Sequence, residues 1–294
     1  MRPVKILVDS CSEMPKAFRD RSDIDYARMK TLSDGREQWA SLDFEYYTPK
    51  ELYDTMRAGK RVLTTQVPME EFERIFTKYL EQGYDIVYIG CSLKQSSSVN
   101  TGTVVAKKLA ERFEGAQVFC VDSLNACMGE GLLGIRAAEY RDQGLSAEEI
   151  HARILKDRNF VNEYVTVHSL DALKRAGRVK GSAAFFGNLL GVKPIIISDA
   201  NGEQTPIKKV KGRQTSLQEI VNLLAESIEK PETQTLFVMH ADSEADAEKV
   251  REEILKKIPC KDVCIGTIGP IIGASIGPDA IALFGWGREV TYAV

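Results

Sequence analysis

Short apolar runs alternate with stretches of helical spacing along most of this chain. Val4-Lys5-Ile6-Leu7-Val8 predicts a strand, and Asp9 to Pro15 is the polar turn after it. Residues 21–47 carry charge and aromatic rings with little periodicity, and admit one or two strands such as 24–29. Thr48-Pro49-Lys50-Glu51 opens a helix through Met56, with Thr48 as N-cap and Pro49 in the first position. Phe72, Ile75, Phe76 and Tyr79 give the core spacing of the next helix. Ile86 to Ile89 is an apolar run of the kind buried on both faces of a parallel sheet, and from Thr103 the residues Val104, Val105, Leu109 and Phe113 predict a helix. A strand over 117–121 leads to a helix from about Ala126 to Tyr140 that contains Gly129, Gly131 and Gly134. Each of these glycines costs roughly 1 kcal/mol against alanine, so close packing must compensate. Ser146 and Glu149 stand at capping-box spacing for one more helix.

The texture changes near Asn159. Strands are predicted at 164–168, 195–197, 204–210, 236–240, 263–268 and 281–284, with helices around 170–174, from 181, over 215–228 and over 243–257. Asn201-Gly202 marks a hairpin between two of these strands. The expected fold class is α/β, with two α/β domains. Residues 1–158 would form a mainly parallel sheet with flanking helices, and residues 159–294 a mixed sheet with helices.

Composition narrows the function classes. Of 294 residues, 44% are hydrophobic and 28% charged, with a net charge of −3 from well-mixed acids and bases. No basic block suits nucleic acid or an anionic membrane, and no run reaches the ~18 apolar residues of a membrane span. The chain begins directly with a strand pattern and has no signal-peptide shape, so a cytoplasmic location is expected. The six cysteines include no Cys-x-x-Cys pair, and only three histidines are present. No metal and no cofactor are therefore expected. Cys11 and Cys91 each follow a predicted strand and could face a cleft.

The polar chemistry gathers at strand ends. The loop after Ile86–Ile89 holds Ser92, Lys94, Ser96, Ser97, Ser98, Asn100 and Thr101, and a loop at the carboxyl end of a buried strand is where open α/β sheets bind ligands. Amides at the following helix N-terminus suit a carboxylate, while serines there also serve as plain caps. Thr64, Thr65 and Gln66 precede Pro68, and capping alone explains one of them rather than three. Asp9 and Ser123 stand at other strand ends. Gly-x-Ser-x-Gly, Walker and Gly-x-Gly-x-x-Gly fingerprints are absent from meaningful positions. A Ser–His–Asp arrangement could borrow Ser92 or Ser123 with His168 or His240, and a nucleophile could be Cys91 or Lys94, but no pattern joins these residues. Hydroxyl donors together with an apolar second half suit a ligand with a polar head and a long tail.

Six segments in order resemble the bacterial DegV family, whose members bind fatty acids and present the acyl chain to a partner kinase. They are Val8-Asp9-Ser10-Cys11-Ser12-Glu13-Met14-Pro15, Thr64-Thr65-Gln66-Val67-Pro68, the Ser92 to Gly102 loop, Val121 to Gly129, Leu173-Lys174-Arg175-Ala176-Gly177-Arg178-Val179, and Ile268 to Gly273 with Gly277-Pro278. The resemblance implies a lipid held between the two domains, its carboxylate hydrogen-bonded by Thr64 and Ser92, with Thr65 and Ser275 beside them. Arg178 would lie near the site mouth. Gln66, Lys94, Ser96, Ser123 and Gly273 are further candidates. Three departures accompany it: Ser96-Ser97-Ser98-Val99-Asn100 replaces the family's Ser-Gly-Thr-Tyr, Ser275 replaces a histidine, and Lys211 stands where an arginine is usual. A lysine offers a point charge rather than a bidentate fork, so the resemblance implies lipid binding more directly than hand-over to a fatty acid kinase. The expectation is a long-chain fatty-acid-binding protein without catalysis of its own; the alternatives are a Ser- or Cys-dependent acyl hydrolase or acyltransferase, or a binder of another amphipathic small molecule.

Overall fold

The computed structural model describes residues 2–168, 171–179 and 191–293. The first part contains β1 (Val4–Asp9), α1 (Lys16–Arg21), β2 (Ile24–Ala27), β3 (Lys30–Ser33), β4 (Arg36–Trp39), α2 (Pro49–Arg57), β5 (Leu63–Thr64), α3 (Met69–Glu81), β6 (Asp85–Gly90), α4 (Ser98–Ala110), β7 (Val118–Asp122), α5 (Met128–Asp142) and α6 (Ala147–Asp157). The second part contains β8 (Val161–Thr166), α7 (Asp171–Ala176), β9 (Val192–Ser198), β10 (Gln204–Lys211), α8 (Arg213–Ser227), β11 (Thr235–His240), α9 (Glu244–Lys257), β12 (Asp262–Thr267), α10 (Pro270–Ile276) and β13 (Ile281–Trp286). The helix expected from residue 181 lies outside the described residues.

The fold is α/β with two sheet-based domains. Strands β2-β1-β6-β7 form a fully parallel sheet. Strands β10-β9-β8-β13-β11-β12 form a mixed sheet in which only β11 and β12 run parallel. A small antiparallel sheet, β4-β3-β5, stands apart from both. Sequence periodicity left this sheet unresolved, because its strands span two to four residues and are mostly half-exposed.

Helix α5 packs between the two large sheets, with Met128, Leu132, Leu133, Ala137 and Ala138 all buried. Its glycines are packing devices. A Cβ on Gly131 would come within 2.8 Å of the Ser12 carbonyl, and one on Gly134 within 2.8 Å of Val8 Cγ1. One apolar cluster consequently runs from Ile6 and Val8 through α5 to Val165, Ala282 and Phe284. Helices α3 and α4 cover the far face of the first sheet, and α8 and α9 the far face of the second.

Candidate functional site

A cavity of about 460 Å³ lies where the two sheets face each other, a volume within the range of small-molecule sites. Cys11 and Cys91, just past the carboxyl ends of β1 and β6, line its base. Asp9 holds these two segments in place rather than facing the cavity. Its Oδ1 accepts from the Cys11 amide at 2.8 Å, and its Oδ2 accepts from Tyr88 Oη at 2.7 Å and from the Cys91 amide at 3.2 Å. Burial raises the Asp9 carboxyl above its ordinary range. The Cys11 thiol is pushed well up by its hydrogen bond with Cys91 and by burial, the opposite of an activated nucleophile.

Thr64, Thr65, Gln66, Lys94, Ser96, Arg178 and Ser275 all line this cavity. Their hydroxyls differ in availability. Thr65 Oγ1 donates to the Gln66 carbonyl at 2.9 Å and accepts from the Lys30 amide at 3.2 Å. Ser96 shares a 2.9 Å bond with Ser98, and Ser275 leans back on the Ile271 carbonyl at 3.5 Å. Gln66 donates to Thr101 at 2.8 Å. Among the described residues the half-buried Thr64 hydroxyl makes no hydrogen bond, so a ligand oxygen would be its partner. Just outside Thr64 and Ser275, an adjoining groove is edged by Lys60, Arg61, Arg175 and Arg178, a cationic rim that favours an anionic head group.

Four expected site residues lie elsewhere. The buried Ser92 Oγ donates to the Gly202 carbonyl at 2.7 Å and accepts from the Lys94 amide at 3.2 Å. Ser123 Oγ donates to the Asn125 carbonyl at 2.9 Å and closes its own turn. Gly273 gives room to Tyr53, whose hydroxyl donates to the Ile268 carbonyl at 2.7 Å. Lys211 ends β10 opposite Val192 with its side chain in solvent. Neither Ser92 nor Ser123 is hydrogen-bonded to a histidine, and His240 Nδ1 accepts from the Ser243 amide at 3.2 Å, so the Ser–His–Asp arrangement is not assembled. Among the described residues no cluster of His, Cys, Asp and Glu is placed to hold a metal ion.

Across the cavity, Val165, Ile196 and Ala282 present an apolar wall from the second sheet, continued by Leu173, Ile272 and Ile276. Sequence reasoning missed the polar residues on that wall, Glu163 and Gln204. Glu163 Oε2 accepts from Ser198 Oγ and from Gln204 Nε2, the latter at 3.2 Å. Complete burial outweighs the opposing pull of these hydrogen bonds and raises its carboxyl to about 7. The signal was parity: Val161, Glu163 and Val165 share one face of a strand, and that face is the apolar one.

A family model described as "Uncharacterised protein, DegV family" matches residues 3–286. The chain belongs to the DegV family. A DegV domain-containing protein of Clostridium perfringens is 36% identical over 284 residues, covering 97% of each chain. Among solved DegV structures, a Thermus thermophilus member described by its fatty acid binding is 25% identical, with a TM-score of 0.87 over 98% of this chain and 100% of that one. A Thermotoga maritima protein described as revealing a fatty-acid-binding function is 26% identical, with a TM-score of 0.82 over 98% of this chain and 100% of that one. Among the described residues no helix is long and apolar enough to cross a membrane.

Proposed function

We propose that this DegV protein binds a long-chain fatty acid. The observation that carries the reading is a cavity with a free hydroxyl and a cationic rim at one side and an aliphatic wall at the other. Thr64 donates to the carboxylate, with Ser96 and Ser275 within the same lining and Arg178 at the rim. The tail lies against Val165, Ile196 and Ala282. Burying an acyl chain is favourable by about 0.8 kcal/mol per methylene, so the head-group bonds mainly set its direction. The solved DegV relatives described as fatty-acid-binding support this reading.

Presentation of the bound acid to a kinase is the finer part of the proposal. Its support in this chain is the exposed Arg178 beside the rim, whereas Ser275 supplies no imidazole and Lys211 lies away from the cavity. The division of the chain at 158/159 belongs to the same reading, the second sheet starting with β8.

Native mass spectrometry of protein purified from cells tests the proposal. The expected result is a co-purifying fatty acid that delipidation removes and added lipid restores. Absence of bound lipid together with failure to take up added fatty acid overturns it.

A further inference from the structure

The wall beneath the acyl tail is not uniformly aliphatic. On the inner face of the second sheet, Ala282, Val165 and Ile196 form one row across β13, β8 and β9. One two-residue step away, about 6.8 Å along the strands, Glu163, Ser198 and Gln204 form a second row across β8, β9 and β10. This row is buried, hydrogen-bonded within itself, and reaches the cavity through Glu163 and Gln204.

We infer that Glu163 and Gln204 form a polar subsite in the tail compartment, and that the site prefers a fatty acid with a hydroxyl part-way along its chain. The inference rests on the fatty-acid reading and names the substrate class more narrowly. A bare methylene chain across Glu163 would leave the carboxyl with its bonds from Ser198 and Gln204 alone and add nothing to its remaining hydrogen-bonding capacity, and incompletely satisfied buried polar groups are costly. Ser198 and Gln204 both aim hydrogens at Oε2 of Glu163, which fixes the plane of the carboxyl. With its carboxyl raised to about 7, Glu163 is partly protonated near neutrality, so it both donates and accepts. A hydroxyl is the small substituent that answers either form, being donor and acceptor at once. An oxo group only accepts, and a second carboxylate is repelled by the ionised glutamate.

The experiment is displacement of a fluorescent fatty acid from the delipidated protein by octadecanoic acid and by its monohydroxylated isomers, the hydroxyl moved stepwise along the chain. One isomer, or two neighbouring ones, is expected to compete about tenfold better than isomers whose hydroxyl falls on the Val165–Ile196–Ala282 row. In Glu163→Leu the isomers are expected to fall within about twofold of one another, and Gln204→Leu serves as a second variant with the same expectation. A flat series in the wild-type protein overturns the inference whatever the variants do, and so does a preference that survives both substitutions. If octadecanoic acid and every isomer fail to displace the probe, the fatty-acid reading falls as well; binding of octadecanoic acid with a flat series removes this inference alone.

Discussion

Ser92 Oγ donates to the main-chain carbonyl of Gly202 at 2.7 Å, tying the loop after β6 to the hairpin between β9 and β10. The fit is close. Gly202 has φ +79°, and a Cβ there would press on Ser92 Oγ and come within 2.9 Å of Leu124 Cα. A serine that sequence alone assigns to the ligand thus joins the two halves of the molecule. Ser92→Ala leaves a buried carbonyl without a partner, so a loss of about 1–2 kcal/mol in urea unfolding is expected, with fatty-acid affinity little changed. A large affinity loss at unchanged stability would return Ser92 to the binding site.

Thr64 carries the opposite expectation. Its hydroxyl has no bond to lose among the described residues, and valine preserves its shape. Thr64→Val is expected to weaken fatty-acid binding about tenfold, as loss of a hydrogen bond to a charged group implies, while stability stays within about 0.5 kcal/mol. Titration calorimetry and unfolding of the same preparation separate the two; equal affinity in the variant would remove Thr64 as the carboxylate donor.

Glu163 predicts a pH dependence. Its folded carboxyl titrates at about 7 against 4.5 for an unperturbed glutamate. The native state therefore holds a proton that the unfolded chain has released. That contribution is complete below about pH 4.5 and is lost as pH rises through 7. Relative to Glu163→Gln, wild-type stability should decline by roughly 3 kcal/mol between pH 4.5 and 8. Parallel unfolding series across that range check this, and a constant difference would mean that Glu163 titrates normally.

Gly131→Ala tests the packing of α5. Helix propensity alone favours the change by about 1 kcal/mol, but the new methyl meets the Ser12 carbonyl at 2.8 Å. A net destabilisation of about 1–3 kcal/mol is expected. A stabilised variant would show that α5 has room to shift.

The strand–helix alternation was legible because buried parallel strands are continuous apolar runs and the helices between them keep their spacing. Thr48, Pro49 and Glu51 signalled α2, and the capping box between Thr48 and Glu51 is formed. Helix α4 begins at Ser98, earlier than its apolar spacing suggested, because Ser98 Oγ accepts from the Val67 amide at 3.0 Å and anchors a polar first turn. At the candidate site, clustered hydroxyls pointed to the right loops without telling which hydroxyl is free. Ser92, Ser96 and Ser98 are chemically alike, and only tertiary partners separate a tie between halves from a cavity lining. Glu163 is easily passed over for another reason: a charge in a strand normally marks the solvent side, and here both faces of the strand are covered, so only its parity with Val161 and Val165 gives it away.

The placement of α5 has a bearing on how the protein can be cut or recombined. A fragment ending after α6 would retain that helix with one oily flank uncovered, and a fragment starting at β8 would lack the surface its inner face rests on. Chimeras between DegV relatives therefore call for keeping α5 matched to both of the sheets it separates, since the cluster it fills is shared between the halves.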